Sequence, residues 1–264
     1  MRVLLLGPTG NLGLRMIPAL IAHGHQLTVF VRNPSKLHSL VSTELLALIH
    51  AIAVGDATDI AALKKAIIDN DIESIICVAG NQVLPWKEYS LPKIAKAISG
   101  AALAVGKERG TPMRIWVTSG ILIMKIPGEE FTMMDYLPRI ATAQHEATRA
   151  NTEMIPTADL QWSIFAASGM TGRNPSQGLF QPLEAPQPHD LLARATVLPV
   201  WRRSWLQKIP FIGMIIHMVI LAYVDYHTEY EDVADFLAED LEVGDGKWVG
   251  KKVVLVKMVI KKDV

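Results

Sequence analysis

Residues 1–13 read MRVLLLGPTGNLG, a short apolar run followed by glycines at positions 7, 10 and 13. The run Arg2–Leu6 is typical of a buried strand. In this spacing Gly7 permits a tight turn, Gly10 lets the backbone approach a pyrophosphate, and Gly13 lets the next helix pack closely on the strand. The segment therefore predicts a dinucleotide-binding turn between a first strand and a first helix.

Short apolar runs and helical patterns alternate through the first 166 residues. The runs predicted as buried parallel strands are Arg2–Leu6, Gln26–Val31, Leu48–Val54, Ser74–Ala79, Arg114–Thr118 and Gln161–Ala166. The segments predicted as helices are Leu12–His23, Lys36–Leu46, Ile60–Asn70, Pro92–Arg109 and Tyr136–Met154. Strict alternation predicts an α/β fold with a doubly wound parallel Rossmann sheet.

The alternation stops after Ala166. Residues 172–200 are rich in proline and predict loops or short helices over the sheet. An apolar stretch at 201–224 follows, then an amphipathic helix at Tyr230–Leu241 and a strand at Lys251–Val259. We expect residues 1–168 to form the nucleotide-binding domain and residues 169–264 a smaller, largely helical cap that completes the same compact unit.

Composition limits the classes of partner. Lys and Arg total 26, as do Asp and Glu, and this balance argues against a nucleic-acid-binding protein. The lone Cys77 cannot form an internal disulfide, and no export signal is seen, so we expect a cytoplasmic protein. Ile209–Val224 is shorter than the roughly 20 apolar residues of a spanning helix, so no integral membrane segment is expected. The histidines lack the spacing of a metal site, so no metal is expected. The sequence does not decide whether the chain forms a homodimer.

The end of the second strand indicates which cofactor is bound. An acid there would bind the ribose 2′-hydroxyl of NAD, but the sequence has Arg32-Asn-Pro-Ser-Lys36 instead. Arg32 can bind a 2′-phosphate with two hydrogen bonds, and Lys36 can add a second positive charge. The sequence therefore predicts NADP(H), with Arg32 as an ordinary surface charge as the alternative.

Five segments of the sequence carry a family resemblance: GPTGNLG, VRNPSKL, Gly55-Asp56, the strand RIWVTSG at 114–120 and the late helix YEDVADFLAEDL. In these segments the sequence resembles the atypical and extended short-chain dehydrogenases. The NmrA-like NAD(P)H-binding proteins are the most similar group, over nearly the whole chain except about 170–225. The resemblance implies that Asp56 contacts the adenine and that Ala79-Gly80 borders the ribose. The expected cofactor-binding residues are Gly7, Thr9, Gly10, Asn11, Leu12, Gly13, Arg32, Lys36, Asp56, Ala79 and Gly80.

The catalytic pair of these families is absent. Members of these families use a Tyr-x-x-x-Lys pair on the helix after the fifth strand. The lysine lowers the pKa of the tyrosine, so that the tyrosine can exchange a proton with a carbonyl. Here Tyr136 is followed four residues later by Ile140, and matching the family's helix glutamate to Glu146 puts Pro138 and Thr142 at the two positions.

A Tyr-x-x-x-Lys does occur at Tyr89–Lys93, but it precedes the fifth strand. Pro92 lies between the two residues, and proline prefers the first turn of a helix. Tyr89 is therefore expected to precede the helix to which Lys93 belongs, so the pair is not expected to be the proton relay.

Four residues near the expected active face remain as catalytic candidates: Ser119, Asp135, Tyr136 and His145. Ser119 could donate a hydrogen bond to a substrate oxygen, Tyr136 and Asp135 could act as acids, and His145 could relay protons near neutral pH. The alternatives are that Asp135 caps a helix and that His145 lies on a solvated helix edge.

The apolar stretch is expected to be a buried or pocket-lining helix. The side chains expected to line an apolar pocket at the carboxyl ends of the strands are Trp205, Phe211, Met214, Ile215 and Met218. Ser119 and Tyr136 would lie at the polar end of this pocket. The alternative is that these side chains pack in the core or in a dimer contact.

Three functions fit the sequence. The first is a redox-neutral enzyme that isomerises, cyclises or rearranges an apolar, natural-product-like molecule by acid catalysis, because the usual dyad is missing. The second is an NADPH-dependent reductase of an apolar carbonyl or alkene. The third is an NADP(H)-sensing regulator without catalytic activity.

Overall fold

The computed structural model describes residues 1–80, 89–174, 178–209 and 212–257. The strands are β1 (Arg2–Leu6), β2 (Gln26–Val31), β3 (Ala51–Val54), β4 (Ser74–Cys77), β5 (Arg114–Gly120), β6 (Gln161–Ala167), β7 (Met170–Thr171), β8 (Leu191–Ala195), β9 (Thr228–Glu229) and β10 (Lys251–Lys257). The α-helices are α1 (Asn11–Ala22), α2 (Pro34–His38), α3 (Thr43–Ala47), α4 (Ile60–Asp69), α5 (Ser90–Arg109), α6 (Arg139–Glu153), α7 (Gly213–Ile220) and α8 (Tyr230–Val243).

The main sheet has the strand order β3-β2-β1-β4-β5-β6-β10-β8. Its neighbours are parallel except at one edge, where β8 runs antiparallel to β10. Helices α4 and α5 pack over one hydrophobic core, and α1 and α8 pack over the other, on the opposite face. The predicted α/β fold with a doubly wound sheet is confirmed, and the strand order reverses between β1 and β4, where such sheets bind ligands.

The C-terminal part of the chain extends this sheet. The predicted final strand is β10, which pairs in parallel with β6 through Lys251–Val253, and residues 258 and 259 of that prediction lie outside the described residues. The predicted late helix is α8, which continues to Val243. Residues 172–200 were expected to hold only loops or short helices, and this was wrong: Leu191–Ala195 forms β8.

The predicted helix Lys36–Leu46 is two short helices. The side chain of Asn33 accepts a hydrogen bond from Lys36 N–H at the start of α2, and Ser42 caps α3 by accepting from Leu45 N–H. Between them Val41 forms a β-bridge with Phe180. Two caps within ten residues divide the segment, because each cap fixes a new helix start.

The apolar stretch was expected to be a buried or pocket-lining helix, and much of it is exposed to solvent. Met218 is buried in the core and Met214 packs against it, but Trp205 is 72% exposed. Phe211 lies outside the described residues. Within the described ranges, no helix is long and apolar enough to cross a bilayer.

A buried ion pair fastens α8 to the sheet. Asp240 accepts hydrogen bonds from Arg114 Nη2 at 2.9 Å and from Trp116 Nε1 at 2.8 Å. The Arg114 and Asp240 side chains are only 9% and 4% exposed. Burial lowers the pKa of the Arg114 guanidinium, and Asp240 opposes that shift.

We expect Asp240→Ala to lower the free energy of unfolding by about 3–5 kcal/mol, because it leaves a buried guanidinium without its counter-ion. The matched control is Asp69→Ala, which removes the exposed Lys65–Asp69 pair and should cost well under about 1 kcal/mol. Urea denaturation of both variants measures the difference. Equal losses would show that the buried pair does not hold α8 in place.

Candidate functional site

The glycine turn brings backbone N–H groups to the carboxyl end of β1. Gly7 has φ +85°, and a Cβ there would lie 2.7 Å from the backbone nitrogen of Ala79. A Cβ on Gly13 would lie 1.9 Å from the Gly7 carbonyl oxygen. A side chain at Gly7 would push the turn away from β4, and a side chain at Gly13 would push α1 away from the turn. The geometry therefore requires glycine at both positions.

The start of α1 leaves donors free. The first hydrogen bond of the helix runs from Leu14 N–H to the Gly10 carbonyl at 2.9 Å. The N–H groups of Asn11, Leu12 and Gly13 therefore have no partner within the helix, as is general for a helix start. Together with the positive end of the helix dipole, these three groups can bind an anion such as a pyrophosphate.

A cleft of about 620 Å³ lies at this edge of the sheet. Of the predicted cofactor-binding residues, it is lined by Gly7, Thr9, Gly10, Arg32, Lys36, Asp56, Ala79 and Gly80. The remaining three, residues 11–13, supply the free N–H groups of α1. Sequence reasoning missed the wall that α5 contributes through Ser90, Lys93 and Ile94. In the sequence, Lys93 stands out only as a member of a Tyr-x-x-x-Lys pair.

Positive charge lies at the β2 side of the cleft. Arg32 and Lys36 both line it. Within the part of the chain that the structure describes, the Arg32 guanidinium has no ion-pair partner. The residues therefore fit an NADP(H) molecule, with a helix start that can bind a pyrophosphate at one end and two cations that can bind a 2′-phosphate at the other.

Asp56 forms a tight turn at the same edge. Its carboxylate accepts hydrogen bonds from Thr58 N–H at 2.8 Å and Thr58 Oγ1 at 2.6 Å. These two bonds lower the pKa of Asp56. Thr58, which the sequence analysis did not identify, therefore holds the carboxylate ionised and in a fixed position beside the cleft.

Ser119 and His145 are brought together at the end of β5. The His145 Nδ1 accepts from Gly120 N–H at 2.9 Å, so this ring nitrogen carries no proton, and Ser119 Oγ lies 3.2 Å from it. Toward this nitrogen the serine hydroxyl can only donate, and it would share the single lone pair with Gly120 N–H. The ring covers Gly120 so closely that a Cβ there would lie 2.8 Å from His145 Cε1.

Tyr136 and Asp135 lie in a 3₁₀ turn, Met133–Tyr136, ahead of α6. The Tyr136 hydroxyl donates to Glu129 Oε2 at 2.7 Å, and this bond raises the pKa of the phenol. The Asp135 carboxylate accepts from the N–H and hydroxyl of Thr132 at 2.6 and 2.8 Å, so it serves as a cap. Both candidate acids are therefore held by neighbours.

The Tyr89–Lys93 pair is divided between two elements. Tyr89 is the residue before α5, as expected, and Lys93 lies in its first turn. The Tyr89 hydroxyl donates to the Ile140 carbonyl at 2.8 Å, which ties the start of α5 to α6. Because this proton is used within the fold, the arrangement is that of a structural contact.

The pKa of His145 generates a pH prediction. Burial lowers it to about 4, whereas the unfolded side chain titrates near 6.5. Below about pH 6.5 the unfolded chain binds a proton that the folded protein does not bind until about pH 4. The stability from neutral His145 is fully present above about pH 6.5 and declines as the pH falls to about 4, by at most about 3 kcal/mol.

The test compares the parent with His145→Asn, whose side-chain oxygen can still accept from Gly120 N–H but does not titrate. The difference between their free energies of unfolding should shrink as the pH falls from about 6.5 to about 4. Titration of the other histidines cancels in this difference, and the exposed His38→Asn is the control. Parallel curves for parent and variant would contradict the assignment.

The two cations generate an affinity prediction. NADPH should bind more tightly than NADH, and Arg32→Ala should weaken NADPH binding by about 1.5–3 kcal/mol, the scale of a hydrogen bond to a charged group. NADH affinity should barely change. Arg194→Ala, an exposed arginine on β8 at the far edge of the sheet, is the matched control. Calorimetric titration that gives equal affinities for the two cofactors in the parent would refute this.

Comparison with known proteins places the fold among nicotinamide-cofactor proteins. A family model for NAD(P)H-binding proteins matches residues 7–197. No curated protein sequence matches significantly.

Solved structures of low sequence identity share the fold over nearly the full length. A short-chain dehydrogenase/reductase from Veillonella parvula has 12% identity and a TM-score of 0.62, covering 98% of this chain and 94% of that one. An inferred NADH-flavin reductase from Streptococcus pneumoniae has 13% identity and a TM-score of 0.60, covering 97% and 99%. An anaerobilin reductase from Escherichia coli O157:H7 has 13% identity and a TM-score of 0.59, covering 100% of both chains.

Proposed function

Because the chain belongs to the NAD(P)H-binding family, we propose that it is an NADPH-dependent reductase of a small, largely apolar molecule with a conjugated system. One observation carries this proposal. The cofactor cleft has its glycine turn and its two cations, whereas the acids considered for the reaction are held by other side chains.

The hydrogen bonds and pKa values of the candidate proton donors favour reduction over acid-catalysed isomerisation or cyclisation. A neutral His145 with a pKa of about 4 is a poor proton donor at pH 7. Tyr136 is bonded to a carboxylate that makes it a weaker acid, and Asp135 is bonded to Thr132. Acid-catalysed isomerisation or cyclisation needs a donor that these side chains do not supply.

A conjugated acceptor does not need such a donor. Bound in the cleft, NADPH would supply a hydride. The negative charge that then develops on a flavin, quinone or bilin-like acceptor is delocalised, so water can deliver the balancing proton. An isolated carbonyl would develop its charge on one oxygen and would need the missing Tyr–Lys pair.

In this scheme the chain's own residues bind and orient the cofactor. Arg32 and Lys36 hold the 2′-phosphate, and the N–H groups of residues 11–13 hold the pyrophosphate. Residues 1–168 serve as the cofactor-binding unit, and the segment from 169 onward extends the same sheet through β8 and β10. Two of the similar structures carry the names of a flavin reductase and a bilin reductase, which supports this class of acceptor.

The experiment follows NADPH absorbance with menadione, an apolar quinone, as the acceptor, in the absence of oxygen. We expect acceptor-dependent NADPH oxidation, with one acceptor molecule reduced for each NADPH consumed. Tyr136→Phe should retain turnover within a few-fold, because the phenol is not the proton donor. A true donor would lose roughly a hundredfold or more.

Other outcomes identify the alternative functions. A product of unchanged mass, formed without NADPH oxidation, would identify the redox-neutral enzyme. Tight NADPH binding without turnover of any acceptor would favour the sensor. A hundredfold loss in Tyr136→Phe would restore the tyrosine as an acid and remove the argument for a conjugated acceptor.

A further inference from the structure

Helix α7 and the helical turn that follows it, Leu221–Asp225, present an apolar face to solvent. The face consists of Ile212, Ile216, Val219, Ile220, Tyr223 and Val224, which are 58, 41, 52, 43, 65 and 64% exposed. Their spacing of three or four residues places them on one side of a helix. Gly213, Met218 and Leu221 on the other side are buried. The helix is thus apolar on its outer side as well as its inner side.

Aromatic and basic residues lie at the two ends of this apolar face. The turn Trp205–Lys208 packs so closely against the start of α7 that a Cβ on Gly213 would lie 1.9 Å from the Leu206 carbonyl oxygen. Trp205 is 72% exposed and Lys208 is exposed beside it. At the other end of the face, Arg202 Nη2 lies 2.8 Å from Asp225 Oδ1.

The charge within the stretch 201–224 is of one sign. Residues 201–224 contain no Asp or Glu but hold Arg202, Arg203 and Lys208, in a chain whose total charge is zero. Asp225, the first acid after the stretch, has a side chain only 6% exposed and is paired with Arg202. Within this stretch Arg203 and Lys208 therefore leave a net positive charge, together with the exposed Trp205 and Tyr223.

We propose that this face docks on an anionic lipid bilayer, with α7 lying in the plane of the headgroups. Exposed aliphatic side chains would enter the boundary of the acyl chains, and Trp205 and Tyr223 would lie at the headgroup level that these residues prefer. Arg203 and Lys208 would contact acidic lipids.

A second copy of the chain fits the same face less well. A two-fold contact places the same patch on both partners, so the basic residues would meet each other with no acid from 201–224 between them. Like charges brought together in this way repel, whereas acidic headgroups complement the basic residues. The charge therefore favours the lipid surface.

The experiment is co-sedimentation of the full chain with vesicles of phosphatidylcholine alone, and with vesicles that also contain phosphatidylglycerol. We expect binding to the acidic vesicles only, weakened by salt. The double variant Arg203→Gln, Lys208→Gln should bind roughly 30-fold more weakly, because each basic residue near an acidic surface contributes about fivefold. The control is Lys96→Gln, Lys107→Gln, which removes two exposed cations from α5 and should change binding less than about threefold.

A second pair of variants tests the apolar contact. Val219→Ser should weaken vesicle binding by roughly tenfold, the scale of one buried aliphatic side chain. Ile68→Ser is matched in exposure, at 48% against 52% for Val219, and should have little effect. Because all these side chains are exposed, circular dichroism should show unchanged folding.

Three results would overturn the proposal. The first is no sedimentation with acidic vesicles. The second is binding that the variants on the face and their controls affect equally. The third is a dimer in analytical ultracentrifugation that Val219→Ser dissociates while vesicles bind nothing, which would assign the face to a second copy.

Discussion

The contact between Gly13 and the Gly7 carbonyl is the constraint on which the site depends. It brings α1 onto the end of β1 with no room for a single methyl group. Gly7 in turn lies against Ala79 after β4, so the turn also sets the distance between the two halves of the sheet. The free N–H groups of α1, the cleft and the two cations at the end of β2 all take their positions from this packing.

The chemistry of the site is one of binding rather than of proton transfer. Cations and backbone donors line the cleft, whereas Tyr136, Asp135 and Ser119 make their hydrogen bonds to neighbouring residues. A site of this kind suits a reaction in which the cofactor and the acceptor carry the electronic change and the protein orients them. On the proposal made above, the exposed apolar face of α7 would bring such an enzyme to a source of apolar molecules.

Much of this could be predicted from the sequence, because the signals were local. The glycine spacing, the buried strands and the basic turn at Arg32 depend on residues within one supersecondary unit. Strand β8 could not be predicted in this way, because Leu191–Ala195 is a strand through its pairing with β10, some 60 residues later. The division of α2 from α3 was missed although the two caps, Asn33 and Ser42, are local; only the bridge between Val41 and Phe180 depends on a distant residue.

Asp135 and Tyr136 lie in the turn before α6 rather than at its start, and the partners of the candidate acids could not be read from the sequence. Tyr136 is held by Glu129 seven residues earlier, and His145 by the backbone of Gly120 on another element. Such bonds are set by tertiary packing, and they decide whether a side chain is an acid or a structural contact.

Hydride transfer is the central claim, and an isotope effect tests it most directly. NADPH carrying deuterium at one of the two positions on C4 of the nicotinamide can be compared with unlabelled NADPH during acceptor reduction. We expect slower oxidation for one of the two labelled forms and an unchanged rate for the other, as a fixed orientation in the cleft requires. Equal rates for all three, or oxidation that does not depend on the acceptor, would contradict the account.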